Sequence, residues 1–80
     1  MRLDKFLKIS RLIKRRTLAA EACQSGRVLV NGREAKPAHA VGSGDIIEIR
    51  FGQRGLKVEV LELRENVRKE DAAALYREIN

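Results

Sequence analysis

The spacing of apolar residues changes at Gly26, and that change limits what the chain can fold into. Before Gly26, Leu3, Phe6 and Leu7, with Ile9 beside them, recur at three- and four-residue steps. Leu18, Ala19, Ala22 and Cys23 do the same. That step gathers side chains on one side of a helix. After Gly26 the step becomes two: Val28 and Val30 flank Leu29, and Leu56, Val58 and Val60 alternate with Lys57 and Glu59. A two-residue step belongs to strands with one buried face. The chain must therefore pack helices from its first third against a sheet from the residues that follow.

The spacing predicts a helix over 2–9, a connection over 10–16 with Leu12 and Ile13 tucked into the core, and a second helix over 15–25 whose inward side holds Leu18, Ala19, Ala22 and Cys23. Gly26 sits where a glycine closes a helix. Strands are expected at 28–30, 34–36, 46–51 and 56–63. Asn31-Gly32 forms a tight turn between the first two, Pro37 ends the second, 37–44 is a loop, and 52–55 turns the chain again. Asn66 then caps a helix over 67–79, with Ala72, Leu75, Tyr76 and Ile79 as its buried stripe. The expected class is α+β: two N-terminal helices on a small antiparallel sheet, with a C-terminal helix. Residues 1–64 form the binding domain, its motif core at 1–51, and 65–80 a helical extension.

Charge is distributed as unevenly as the apolar residues. The chain carries 17 Lys and Arg against 11 Asp and Glu, a net charge of +6. Residues 1–16 hold Arg2, Lys5, Lys8, Arg11, Lys14, Arg15 and Arg16 against Asp4 alone, and seven minus one is +6. The remaining residues hold ten basic and ten acidic side chains and sum to zero. A field of one sign confined to a fifth of the chain recruits polyanions. A merely solvated basic helix face would not need that confinement.

The composition narrows the chemistry further. Aromatic residues make up 4% of the chain, only Phe6, Phe51 and Tyr76, which is too few for a base-stacking platform. Eighty residues leave little chain for a walled enzyme pocket. No Ser/His/Asp or Cys/His set and no phosphate-cradling glycine loop is present, and His39 stands without Cys or His partners at metal spacing. The expectation is a protein that is not an enzyme and uses no cofactor or metal. The single cysteine, Cys23, precludes an internal disulfide and reads as a small core residue. No apolar run approaches membrane-spanning length, and no apolar stretch of the signal-peptide kind follows the basic start. Cytoplasm is the expected location and a monomer the default.

Two short helices joined by a basic elbow place Arg2, Lys5, Arg11, Lys14, Arg15 and Arg16 on one small surface. Arginine suits phosphate because its planar fork donates two parallel hydrogen bonds. Neutralising ~4–6 phosphates gives a log–log salt dependence with a slope of roughly −3 to −5. Asn31 and Lys36 are candidates to reach sugar or base, although Asn31-Gly32 also serves simply to close a hairpin. Asp4 has two readings, a favourable negative charge in a first helical turn or an ion-pair partner that orients Arg2 or Arg16. Thr17 is open between capping the second helix and touching phosphate. Asp45 belongs to the turn after Gly44. The acidic residues Glu62, Glu65, Glu70 and Asp71 form a solvated face, repel RNA, or meet a basic partner.

The same residues carry a resemblance. Arg2-Leu3-Asp4, Arg16, Ala19, Gly26, Val28, Val30-Asn31-Gly32, Lys36-Pro37, Val41 and Gly44-Asp45, in that order and spacing, resemble the S4 RNA-binding domain over about residues 1–51. The resemblance implies a surface of two helices and adjoining strands that binds structured RNA, with Arg2, Arg16, Lys36 and the Asn31-Gly32 turn at matching positions. Arg15 departs from the family's frequent Ser and adds charge. Ala22-Cys23 depart from its frequent Leu-Ile and thin the core under the second helix, with the C-terminal helix as candidate filler. The runs Met1 to Lys8 and Ser10 to Ala19, the segment Arg50-Phe51-Gly52-Gln53, and Ala72, Ala73 and Tyr76 are similar to the RqcP and fifteen-kilodalton heat-shock protein family of stand-alone domains. That similarity implies a bacterial ribosome-associated quality-control factor. Its implied ligands are large-subunit rRNA and peptidyl-tRNA on split, obstructed large ribosomal subunits, and its implied partner is a factor that directs alanine tailing of the stalled chain.

Two other functions compete. A ribosome-assembly or rRNA-modification accessory would share the RNA-binding surface. A helix-turn-helix DNA regulator would share the helix pair, but its turn would be basic and its second helix would offer only Glu21, Gln24 and Ser25 as polar readers.

Overall fold

The computed structural model describes residues 1–79. Two α-helices come first, α1 (Leu3–Ile9) and α2 (Arg16–Gln24). Five strands follow, β1 (Val28–Val30), β2 (Arg33–Glu34), β3 (Ile46–Phe51), β4 (Arg54–Val60) and β5 (Tyr76–Ile79), with a 3-10 helix (Lys69–Leu75) before the last. The strands form one antiparallel sheet in the order β2-β1-β3-β4-β5. The class is the expected α+β arrangement, with the two α-helices at the start of the chain and the 3-10 helix inserted before the last strand.

Register explains which side chains meet. Val28 faces Ile49, Val30 faces Ile47, and Ile47 faces Val58 across the strands. All are buried, and together with Val60 they make the sheet's inner face. Leu3, Phe6 and Leu7 from α1 and Ala19, Ala22 and Cys23 from α2 close over it, and Val41 and Leu75 join the same core. Phe6 is fully buried, an apolar burial of the kind that contributes ~1.5–3 kcal/mol.

Two local devices set the chain's direction. At the end of α2 the Gly26 amide donates to the Cys23 carbonyl and the Arg27 amide to that of Ala22, with Gly26 at φ +77°. This is a Schellman closure, and a Cβ at Gly26 would stand 2.9 Å from Glu34 Oε1. Between β1 and β2, Asn31 and Gly32 both take positive φ, 53° and 84°, as a two-residue hairpin of twisted strands requires.

Several boundaries differ from the sequence reading. Leu18 is 46% exposed rather than inward. At 100° per residue it lies roughly 90° from the centre of the Ala19, Ala22 and Cys23 strip, and the small residues of that strip leave no broader face to bury. β2 is shorter and starts one residue earlier than expected, β4 begins at Arg54, and it stops at Val60, leaving Leu61 and Leu63 exposed.

The largest correction concerns the C-terminus, read as a helix over 67–79 within a helical extension over 65–80. The helical part is a 3-10 helix confined to Lys69–Leu75, and its preceding residue is Arg68, with no side-chain cap from Asn66 or any other residue. Tyr76–Ile79 is a strand that pairs Val60 with Tyr76 and Lys57 with Ile79. Ala72 and Leu75 are both buried as expected, because their three-residue step suits a 3-10 turn as well as an α-helix. An otherwise bare β4 edge decides the next four residues, because sheet pairing is a tertiary property that local pattern does not carry. Residue 80 of the expected extension lies outside the described residues.

Candidate nucleic-acid interface

Backbone hydrogen bonds tie the start of α1 to the loop that follows Lys36. The Leu3 amide donates to the His39 carbonyl at 2.8 Å, and the Asp4 amide to the Pro37 carbonyl at 3.1 Å. Arg2 forms an antiparallel bridge with Ala40. The 37–41 loop thus holds the first turn of α1 and brings Lys36, one residue before Pro37, to the same end of the helix.

Asp4 organises that end. It is 4% exposed, yet its carboxylate accepts from Arg2 Nε at 3.1 Å, Arg2 Nη2 at 3.2 Å, Arg16 Nη2 at 3.5 Å and the Lys5 amide at 2.8 Å. Burial by itself would raise its pKa. The Arg2 hydrogen bond, the Arg16 charge and the Lys5 amide outweigh that and hold the carboxyl below its ordinary 3.8. Both arginine side chains keep about half their surface exposed, 51% and 49%. Each guanidinium is fixed on one side by Asp4 and open on the other. Both roles considered for Asp4 are occupied at once: it lies in the first helical turn, and it binds both arginines.

The other cations divide. Lys5 Nζ reaches Glu65 Oε1 at 2.8 Å, which lowers the pKa of Glu65 and ties α1 to the C-terminal segment. Lys14 and Arg15 are exposed in the link before α2. Arg15 is the residue preceding α2, with no side-chain cap, and the first turn of α2 holds no acid to offset the helix's positive end. Arg11 stands in the link at φ +61° and lines a cleft with Lys8. Among the described residues Lys8, Arg11, Lys14 and Arg15 have no ion-pair partner. Seven cations from residues 1–16 thus meet only two carboxylates, Asp4 and Glu65, which leaves five net positive charges.

Asn31 stands apart from this group. Its Nδ2 donates to Asp45 Oδ1 at 3.2 Å and its Oδ1 accepts from the Ile46 amide at 2.9 Å. Asp45 also accepts from the Gly42 amide at 2.8 Å. The side chain of Asn31 is engaged in shaping the turn and the β3 entry. Cys23 is buried, and burial, with a smaller contribution from Asp4, pushes its thiol up to about 11. Arg68 is a cation that the sequence reading did not single out. It sat inside an expected helix, and no motif marks it.

Comparison with known proteins agrees with this geometry. Residues 1–47 match the S4 domain family. An RQC P-site tRNA stabilizing factor of Halalkalibacterium halodurans is 59% identical over 76 residues, 95% of this chain and 86% of that one. The Bacillus subtilis protein of the same name is 54% identical over 95% of this chain and 88% of its own length. The trimeric structure of Vibrio cholerae Heat Shock Protein 15 superposes with a TM-score of 0.91 at 35% identity, covering 99% of this chain and 81% of that one. The chain belongs to the S4 domain family, in the group that holds the RQC P-site tRNA stabilizing factors and heat shock protein 15.

Proposed function

We propose that this protein is a non-catalytic RNA-binding factor of ribosome quality control that holds tRNA on the large ribosomal subunit. The observation that carries the reading is the pair of half-exposed guanidinium groups, Arg2 and Arg16, fixed by one buried carboxylate beside an uncompensated set of lysines and arginines. Pre-oriented forks lose little freedom on meeting phosphate. Lys36, at the same end of α1, and Lys14 and Arg15, before the uncapped start of α2, extend the positive surface. The names borne by relatives at 59% and 54% identity point to tRNA in the P site.

In this reading Arg2, Lys5, Arg11, Lys14, Arg15, Arg16 and Lys36 contact RNA backbone, Asp4 orients Arg2 and Arg16, and Asn31 acts through the turn it shapes. The ligands are large-subunit rRNA and the peptidyl-tRNA left on a split, obstructed subunit. Steadying that tRNA supports tailing of the stalled chain by a partner factor in the cytoplasm. Crosslinking in cells followed by sequencing of the attached RNA tests this. Large-subunit rRNA and tRNA are expected together, and sedimentation should place the protein with tRNA-bearing large subunits. Recovery of mRNA, of duplex DNA, or of immature particles lacking tRNA would overturn the assignment.

A further inference from the structure

The link after α1 contains a conformation that its residue type does not favour. Ser10 closes α1, and the next residue, Arg11, takes φ +61° while its amide donates to the Lys8 carbonyl at 3.0 Å. At the equivalent position after α2 stands Gly26. Left-handed backbone is readily adopted by glycine and disfavoured for a residue with a Cβ. Strain of this kind at a non-glycine residue directs attention to its side chain.

The surroundings of Arg11 show what that side chain could serve. A cleft of about 450 Å3 opens between the end of α1 and the segment 65–68, lined by Lys8, Ile9, Arg11, Asn66, Val67 and Arg68, with Glu65 at one wall. That volume falls in the range of about 300–1,000 Å3 typical of small-ligand sites. Glu65 is already paired with Lys5, so its charge is met. Lys8, Arg11 and Arg68 have no ion-pair partner among the described residues. Ile9 and Val67 are half-buried and pack against the core, giving the cleft an apolar floor. Asn66 is exposed and offers both a donor and an acceptor. Three cations, an apolar floor and one amide match a nucleotide: phosphate for the cations, a base face for Ile9 and Val67, a base edge for Asn66. An acidic peptide could use the same groups, but Lys8 and Arg11 join the cleft to the basic end assigned to RNA, which favours a nucleotide as its occupant.

We infer that this cleft receives a single unpaired nucleotide of the bound RNA, its phosphate held by Lys8, Arg11 and Arg68. The inference rests on the RNA-binding reading above and adds a subsite outside residues 1–47, since its second wall comes from 65–68.

The test compares a fully paired RNA stem with the same stem carrying a one-nucleotide bulge, and with an abasic version of that bulge. The wild-type protein should bind the bulged stem roughly tenfold tighter than the paired one, the scale of one charge-assisted contact. With the abasic bulge, which keeps the phosphate and lacks the base, it should retain part of that preference and lose the share that Ile9, Val67 and Asn66 contribute. Arg68→Ala should remove the preference while leaving the paired-stem affinity within about twofold, as loss of a contact made only in the cleft requires. Arg11→Gly should weaken bulged-stem binding while its Tm stays equal or rises, since glycine relieves the left-handed backbone. A fall in Tm with Arg11→Gly would make that residue structural and overturn its assignment to the cleft. Equal wild-type affinity for paired and bulged stems, or competition by an acidic peptide without bulge preference, would overturn the cleft alone. Failure to bind any of the RNAs would instead overturn the RNA-binding reading.

Discussion

Asp4 governs how Arg2 and Arg16 are presented, and its charge is the condition for doing so. Its folded pKa lies below the ordinary 3.8, so its contribution to stability is complete above that value and is lost as pH falls through the depressed one. Asp4→Asn should therefore destabilise the fold by about 1–3 kcal/mol at neutral pH, the scale of hydrogen bonds to a buried charged group. The gap between wild type and variant should close as pH drops below 3.8. Urea titrations across that range check both statements, and a gap that persists at low pH would mean that the ionised carboxylate is not what holds the two arginines.

β5 shows how an element can be settled by its neighbour. Leu75 is fully buried in the common core, and its carbonyl accepts from the Leu61 and Glu62 amides at 2.9 and 3.3 Å. Together these anchor the entry to β5. Leu75→Ala should cost about 2–5 kcal/mol, as truncation of a packed core leucine does. Leu18→Gln, on an exposed site of α2, should stay within about 0.5 kcal/mol. Denaturant midpoints of the two variants decide the point. A large loss from Leu18→Gln would show that this residue is covered in the native protein by something other than its own chain.

The whole molecule is a basic end on a charge-balanced body. The open face of the sheet pairs its own charges, Glu48 with Arg50 and Glu59 with Arg77, so long-range attraction falls to the helix end. With ~4–6 phosphates engaged, log affinity for RNA should fall against log salt with a slope of roughly −3 to −5. Isothermal binding between ~50 and ~200 mM potassium chloride would reveal it, and a slope near −1 would leave the positive end with almost no phosphate contacts.

The sequence by itself determined the class of fold, the end at which charge collects and the turn at Asn31-Gly32. Each of these depends on residues close together in the chain: a three-to-two change of apolar period, a local excess of cations, a pair of residues that tolerate positive φ. It also named Arg2, Arg16 and Asp4, although not that one carboxylate would bind both arginines. Only the tertiary structure decided that Tyr76–Ile79 becomes a strand, that Leu18 faces solvent, and that Lys8 and Arg11 share a cleft with Arg68. Those outcomes depend on which edge, face or segment lies opposite, and a partner that arrives from some sixty residues away, as Glu65 does for Lys5, leaves no mark on the local pattern.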